Sequence, residues 1–140
     1  VTDYIGIADC GTIIHPHGLS QQINGGAVWG FGMAASERHV YDPQNALPAN
    51  VGFYQAKLPT ILDVPLEMQN GAVDIADPYN PAGGRGVGEP SQGSAVAAIT
   101  SAIADALGHS FNRVPVTPDM IVNFANEEEQ EAKLLALNTF

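Results

Sequence analysis

The chain has too few cations to grip a polyanion and too few cysteines to cross-link itself. Five lysines and arginines stand against fifteen aspartates and glutamates, a net charge of −10. That balance excludes a broad basic face for nucleic acid or an anionic membrane surface. The single cysteine, Cys10, rules out an internal disulfide and cannot by itself build a thiolate zinc site or an iron–sulfur site. No run of ~18 apolar residues exists to read as a membrane span, and Val1 opens no cleavable signal pattern. An initiating methionine is missing too, and residues 1–8 already have the make-up of a strand. The expectation is a fragment, or a processed piece of a longer protein.

What is present is a packable chain. Its 140 residues are 45% hydrophobic and 14% charged, the proportions of one folded domain or part of a larger one. Eight of the fifteen glycines crowd into two places. One is Asp77-Pro-Tyr-Asn-Pro-Ala-Gly-Gly-Arg-Gly-Val-Gly-Glu-Pro-Ser91. Gly83, Gly84, Gly86 and Gly88 suit positive φ and admit a group that side chains would block. Pro90 fits the first turn of a helix and Ser91 adds a capping group, so Glu89 falls at a helix N-terminus, where negative charge is favoured. Glu89 is thus a candidate base. The plain alternative is that it only caps the helix.

Residues 4–8 predict a strand ending in a turn at Asp9-Cys-Gly11. His15 and His17 have a spacing that can present two imidazoles to a metal, against the simpler reading of a polar turn; no third ligand is near, and no protein metal ligand is assigned. The second glycine cluster lies in a helix expected over residues 19–38, with Leu19, Ile23 and Ala27 on one stripe and Trp29, Phe31 and Met33 thickening it. Gly25, Gly26, Gly30 and Gly32 give up roughly 4 kcal/mol of helix propensity along it. Either a neighbouring backbone packs closely there, or a ligand lies against the half that carries Gln21, Gln22 and Asn24.

Downstream, the spacing predicts a short strand and a turn at Asp42-Pro-Gln-Asn45. Residues 50–57 are expected to be partly extended, and Pro59 and Pro65 exclude a helix through residues 58–65. Residues 66–75, interrupted by Asn70-Gly71, predict strand, turn, strand. A second helix is expected over residues 92–107, stopped by Gly108 and so poor in polar residues that burial nearly all round is expected. Thr117 and Pro118 predict the start of a short helix over residues 119–124. An acidic tail follows, with helical spacing and a weak Glu129–Lys133 pair.

Asp9-Cys-Gly, Gln22-Ile-Asn-Gly-Gly, the Asp77 to Glu89 stretch, Ala-Ile-Ala-Asp-Ala-Leu-Gly and Pro-Val-Thr-Pro occur in one order. Together they resemble the C-terminal part of the molybdopterin-binding subunit of the xanthine dehydrogenase/aldehyde oxidase family of molybdenum hydroxylases. The resemblance covers about residues 1–125, leaving 126–140 as the tail. It implies an α+β fold, mixed helices and short strands forming part of a larger molybdopterin-binding domain. It also implies that Glu89 is the general base at the molybdenum centre, in an enzyme that oxidises an aldehyde or N-heterocycle with water-derived oxygen. Gln22, Gly25, Gly26, Gly86, Val87 and Gly88 are implied as cofactor contacts, the cofactor being molybdopterin with molybdenum in its cytosine dinucleotide form. Iron–sulfur clusters and FAD are implied on partner chains or domains. The implied partners are the remaining molybdopterin-binding region, an iron–sulfur subunit and a flavin subunit, with a small-molecule substrate, no nucleic acid and no membrane span. A cytoplasmic location follows, the periplasm staying open. This chain departs from the family in having His15 where asparagine is frequent and Arg85 where lysine is frequent. Most of the cofactor cradle is absent from 140 residues, so the chain alone is expected not to turn over substrate. Two other classes are a glycine-loop module that binds phosphate, for which the Gly-Lys-Ser/Thr signature is missing, and a structural subunit whose Glu89 is a cap.

Overall fold

A computed structural model describes residues 1–127, and the expected Glu129–Lys133 helix lies outside the described residues. The fold is α+β. Strand β1 (Asp3–Asp9) leads into helix α1 (Pro16–Ala35), then a one-turn helix α2 (Phe53–Ala56) and a 3-10 turn at Ile61–Asp63. Strand β2 (Glu67–Val73), helix α3 (Pro90–Leu107) and helix α4 (Pro118–Ala125) complete it.

Strand β2 corrects the expected hairpin. It runs unbroken through Asn70-Gly71 and pairs in parallel with β1, from Asp3 opposite Glu67 to Asp9 opposite Val73. An Asn-Gly pair favours a hairpin only when its own flanks are the best partners. Here β1 supplies the partner, and Asn70 turns its amide to the Asn24 side chain at 3.2 Å. Residues 50–57 also differ from expectation, since α2 forms a single helical turn that ends at Lys57 with φ +63°. The proline-bounded segment stays irregular except for the 3-10 turn, closed by a capping box between Thr60 and Asp63.

The core lies between α1, α3 and the inner face of β1. Tyr4, Ala27, Phe31, Ala34, Ala95 and Ile99 form it, with Tyr4 and Phe31 edge to face at 5.3 Å. Along β1, Tyr4 and Gly6 point inward while Ile5 and Ile7 face out, the period-two pattern of a strand covered on one side. The α1 glycines explain how the two long helices meet. A β-carbon on Gly30 would stand 2.6 Å from Ala95 Cβ and 2.7 Å from the Gln92 carbonyl, and one on Gly26 would collide with Ser91 Oγ. Close helix packing accounts for those two positions. Gly25 is different: nothing lies within 4 Å of its missing side chain.

Helix α3 is not enclosed as expected. Only Ser91, Ala95 and Ile99 are buried, because α1 and β1 cover one stripe and leave Ala97, Ala98 and Ala102 exposed. Trp29 of α1 is also exposed, unlike Phe31 two residues later.

Candidate functional site

The site is assembled where the C-terminal end of β1, the first turns of α1 and the glycine loop before α3 come together. Asp9 stops β1 by accepting from the Gly11 amide at 3.1 Å. Gly11, at φ +65°, then lies so close to the Gly83 carbonyl that no side chain would fit. The carbonyl of Gly83 accepts from Thr12 and from Asp77, both at 2.8 Å, and the Arg85 amide donates to the Cys10 carbonyl at 2.7 Å. The loop is thereby laid antiparallel against residues 10–12, with Gly11 bridged to Gly84.

Only Gly83 of the four loop glycines takes positive φ, at +69°. Gly84 instead leaves room for Ile14, whose Cδ1 would be 3.0 Å from a β-carbon there. Gly86 and Gly88 face open space, with no heavy atom within 4 Å of where a side chain would begin. Neither takes positive φ, so conformation does not demand glycine there.

Glu89 occupies the N-cap position of α3 with φ −113° and makes no capping hydrogen bond. Its side chain is exposed and has no partner among the described residues. The expected burial of this helix nearly all round fails at its N-terminus as well, because α3 is half open. Proximity to Gln22 is kept: Gln22 Nε2 donates to the Gly88 carbonyl at 2.6 Å, one residue before Glu89. Ser91 reaches the Gln22 carbonyl at 3.5 Å and closes the same junction from behind.

Between Arg85 and Pro90 the backbone N–H groups of Gly86, Val87 and Gly88 have no acceptor among the described residues. Neither has the Gln22 carboxamide oxygen a donor. A cleft of about 200 Å³ adjoins them, lined by Ile13, Ile14, Leu19, Gln22, Arg85 and Val87 among others. Unpaired polar groups beside open space satisfy themselves with water or a ligand. Such a cradle fits a flat, heteroatom-rich group such as a pterin. Gly25 lies three residues after Gln22 on α1, so it continues the same helix face. Gly26 is filled from outside the cleft by Ser91.

His15 caps α1, its Nδ1 accepting from the Gly18 amide at 2.7 Å. Among the described residues no group of three or more His, Cys, Asp or Glu could hold a metal. No helix among them is long and apolar enough to cross a membrane. Sequence reasoning missed the role of Arg85. Its Nε bonds Asp77 Oδ2 at 2.9 Å and its Nη1 pairs with Asp9 Oδ2. The Tyr79 amide, ahead of Arg85, holds the Asp77 carboxyl below its ordinary range. Two acids and a lone cation in matching motifs were the available signal.

The profile of the molybdopterin cofactor-binding domain matches residues 1–65. The putative xanthine dehydrogenase molybdenum-binding subunit of Escherichia coli K12 is 31% identical over 114 residues, 81% of this chain and 15% of that one. The nicotine 6-hydroxylase large subunit of Paenarthrobacter nicotinovorans is 33% identical over 120 residues, 83% of this chain and 14% of that one. Among solved structures, quinoline 2-oxidoreductase from Pseudomonas putida 86 superposes with a TM-score of 0.81 at 32% identity, covering 92% of this chain and 16% of that one. The chain thus spans about 15% of the curated relatives' length, and these relatives favour neither the phosphate-binding nor the purely structural alternative. The chain belongs to the molybdopterin-binding part of the xanthine dehydrogenase/aldehyde oxidase family of molybdenum hydroxylases.

Proposed function

We propose that this chain carries the general base of a molybdenum hydroxylase and that Glu89 is that base. One observation carries the reading. The Gln22 side chain clasps the Gly88 carbonyl, one residue before Glu89, whose carboxylate has no partner among the described residues. A mere cap would spend that carboxylate on the helix, and Glu89 makes no such bond.

When bound, molybdopterin supplies a metal that accepts two electrons. Gln22, Gly25, Gly86, Val87 and Gly88 hold and admit it, and Gly26 helps indirectly by letting α3 close on α1. Glu89 takes a proton from the water-derived oxygen as that oxygen bonds to an electron-poor carbon. A base so used must come within hydrogen-bond reach of the proton it removes, and contributes about 10²–10⁴-fold. The substrate class is an aldehyde or N-heterocycle. Names of similar proteins that mention quinoline and nicotine support the heterocycle. The cytosine dinucleotide form of the cofactor, iron–sulfur clusters and FAD on partner chains, and a cytoplasmic location complete the reading, with residues 1–125 as the cofactor-binding portion. The rest of the molybdopterin-binding region, an iron–sulfur subunit and a flavin subunit are its partners, without which this chain does not turn over.

Glu89→Gln in the assembled enzyme is expected to keep its molybdenum, measured by elemental analysis, and to lose turnover by about 10²–10⁴-fold. Wild-type turnover in that variant removes the assignment.

A further inference from the structure

We propose that Arg85 is a positioning residue for Glu89, fixing the entry of the 86–88 loop by bridging Asp9 and Asp77. The inference rests on Glu89 being the base. Arg85 joins three segments at one point: its backbone N–H bonds Cys10, its Nε bonds Asp77 and its Nη1 pairs with Asp9. Asp9 is the last residue of β1, so the guanidinium ties the loop to the sheet.

Only Gly86 and Val87 separate this anchor from Gly88, which Gln22 holds at the other end. Nothing lies within 4 Å of where a side chain on Gly86 or Gly88 would begin. A glycine-bearing stretch without side-chain packing loses its place unless both ends are tied. The side chains of Arg85, Asp9 and Asp77 are 42%, 48% and 20% exposed, and exposed ion pairs add little global stability. The arrangement serves orientation. Lysine, frequent at this place in the family, brings a single ammonium on a flexible stem, which does not span two carboxylates as the planar fork does here.

The test uses Arg85→Ala and Arg85→Lys in the assembled molybdenum enzyme. For Arg85→Ala the Thr12 and Asp77 amides, which both donate to Gly83, are expected to exchange with deuterium about tenfold faster. The value of kcat is expected to fall about tenfold, as a small misplacement of a reacting group does. KM and molybdenum content stay within about twofold of wild type, and Arg85→Lys recovers only part of kcat. Unchanged exchange and kcat in Arg85→Ala, full recovery by lysine, or a loss of molybdenum equal to the loss of rate each overturn the proposal. A dead Glu89→Gln enzyme beside a normal Arg85→Ala enzyme sinks this inference alone. A fully active Glu89→Gln enzyme sinks the base assignment itself.

Discussion

At Glu37 a carboxylate oxygen is buried without a donor among the described residues. Burial raises its pKa above the ordinary value, with His39 opposing. Between the ordinary and the raised value the folded chain keeps a proton that the unfolded chain has released. Stability therefore falls as pH rises through that interval. Glu37→Gln is expected to melt a few degrees above wild type at pH 7 and level with it below pH ~4, by calorimetry at both pH values. No gain at pH 7 would mean that this oxygen finds a donor in solution. Asp77 has the opposite sign. Its pKa is lowered by the Tyr79 amide and then by Arg85, so its contribution is complete above its unfolded value and is lost as pH falls through the folded one.

Within helix α1 the glycines do two jobs that a single substitution can separate. Gly30→Ala places a methyl against the Gln92 backbone carbonyl, which cannot move without shifting α3. Overpacking of this kind costs 1–3 kcal/mol and the gain in helix propensity returns about 1, so a net loss of about 1 kcal/mol is expected in urea titration. Gly25→Ala meets nothing within 4 Å and is expected to stabilise the chain by up to about 1 kcal/mol. On the proposed function the same change lowers the molybdenum content of the assembled enzyme. Stabilisation with full molybdenum content would show that Gly25 is not a cofactor contact. The four loop glycines divide similarly: Gly83 takes positive φ, Gly84 makes room for Ile14, and on the proposed function Gly86 and Gly88 admit the cofactor.

The molecule as a whole leaves much apolar surface uncovered. Ile5 and Ile7 on the outer side of β1 are 66% and 71% exposed, in a two-stranded parallel sheet. Parallel sheets are normally covered on both faces, and patches of this kind mark interfaces. On the proposed function, the rest of the molybdopterin-binding region covers this face. Ile7→Lys is expected to change the stability of the chain by less than about 0.5 kcal/mol, as surface substitutions do, while greatly reducing co-purification with the rest of the enzyme. Normal co-purification would place the interface elsewhere.

Sequence by itself determined the local features: the existence of the two long helices, the stop of α3 at Gly108, the start of α4 at Pro118, the absence of a disulfide, and the motif order that gives the family. Each depends on propensity, spacing or turn chemistry among near neighbours, which a linear chain displays. Only the tertiary structure decided that Asn70-Gly71 lies inside a strand, that Gly26 and Gly30 admit α3, and that Arg85 links Asp9 to Asp77. Those outcomes depend on which distant segment arrives as partner. A parallel pairing or an ion pair between segments about half a chain apart leaves no periodic trace in the sequence that makes it.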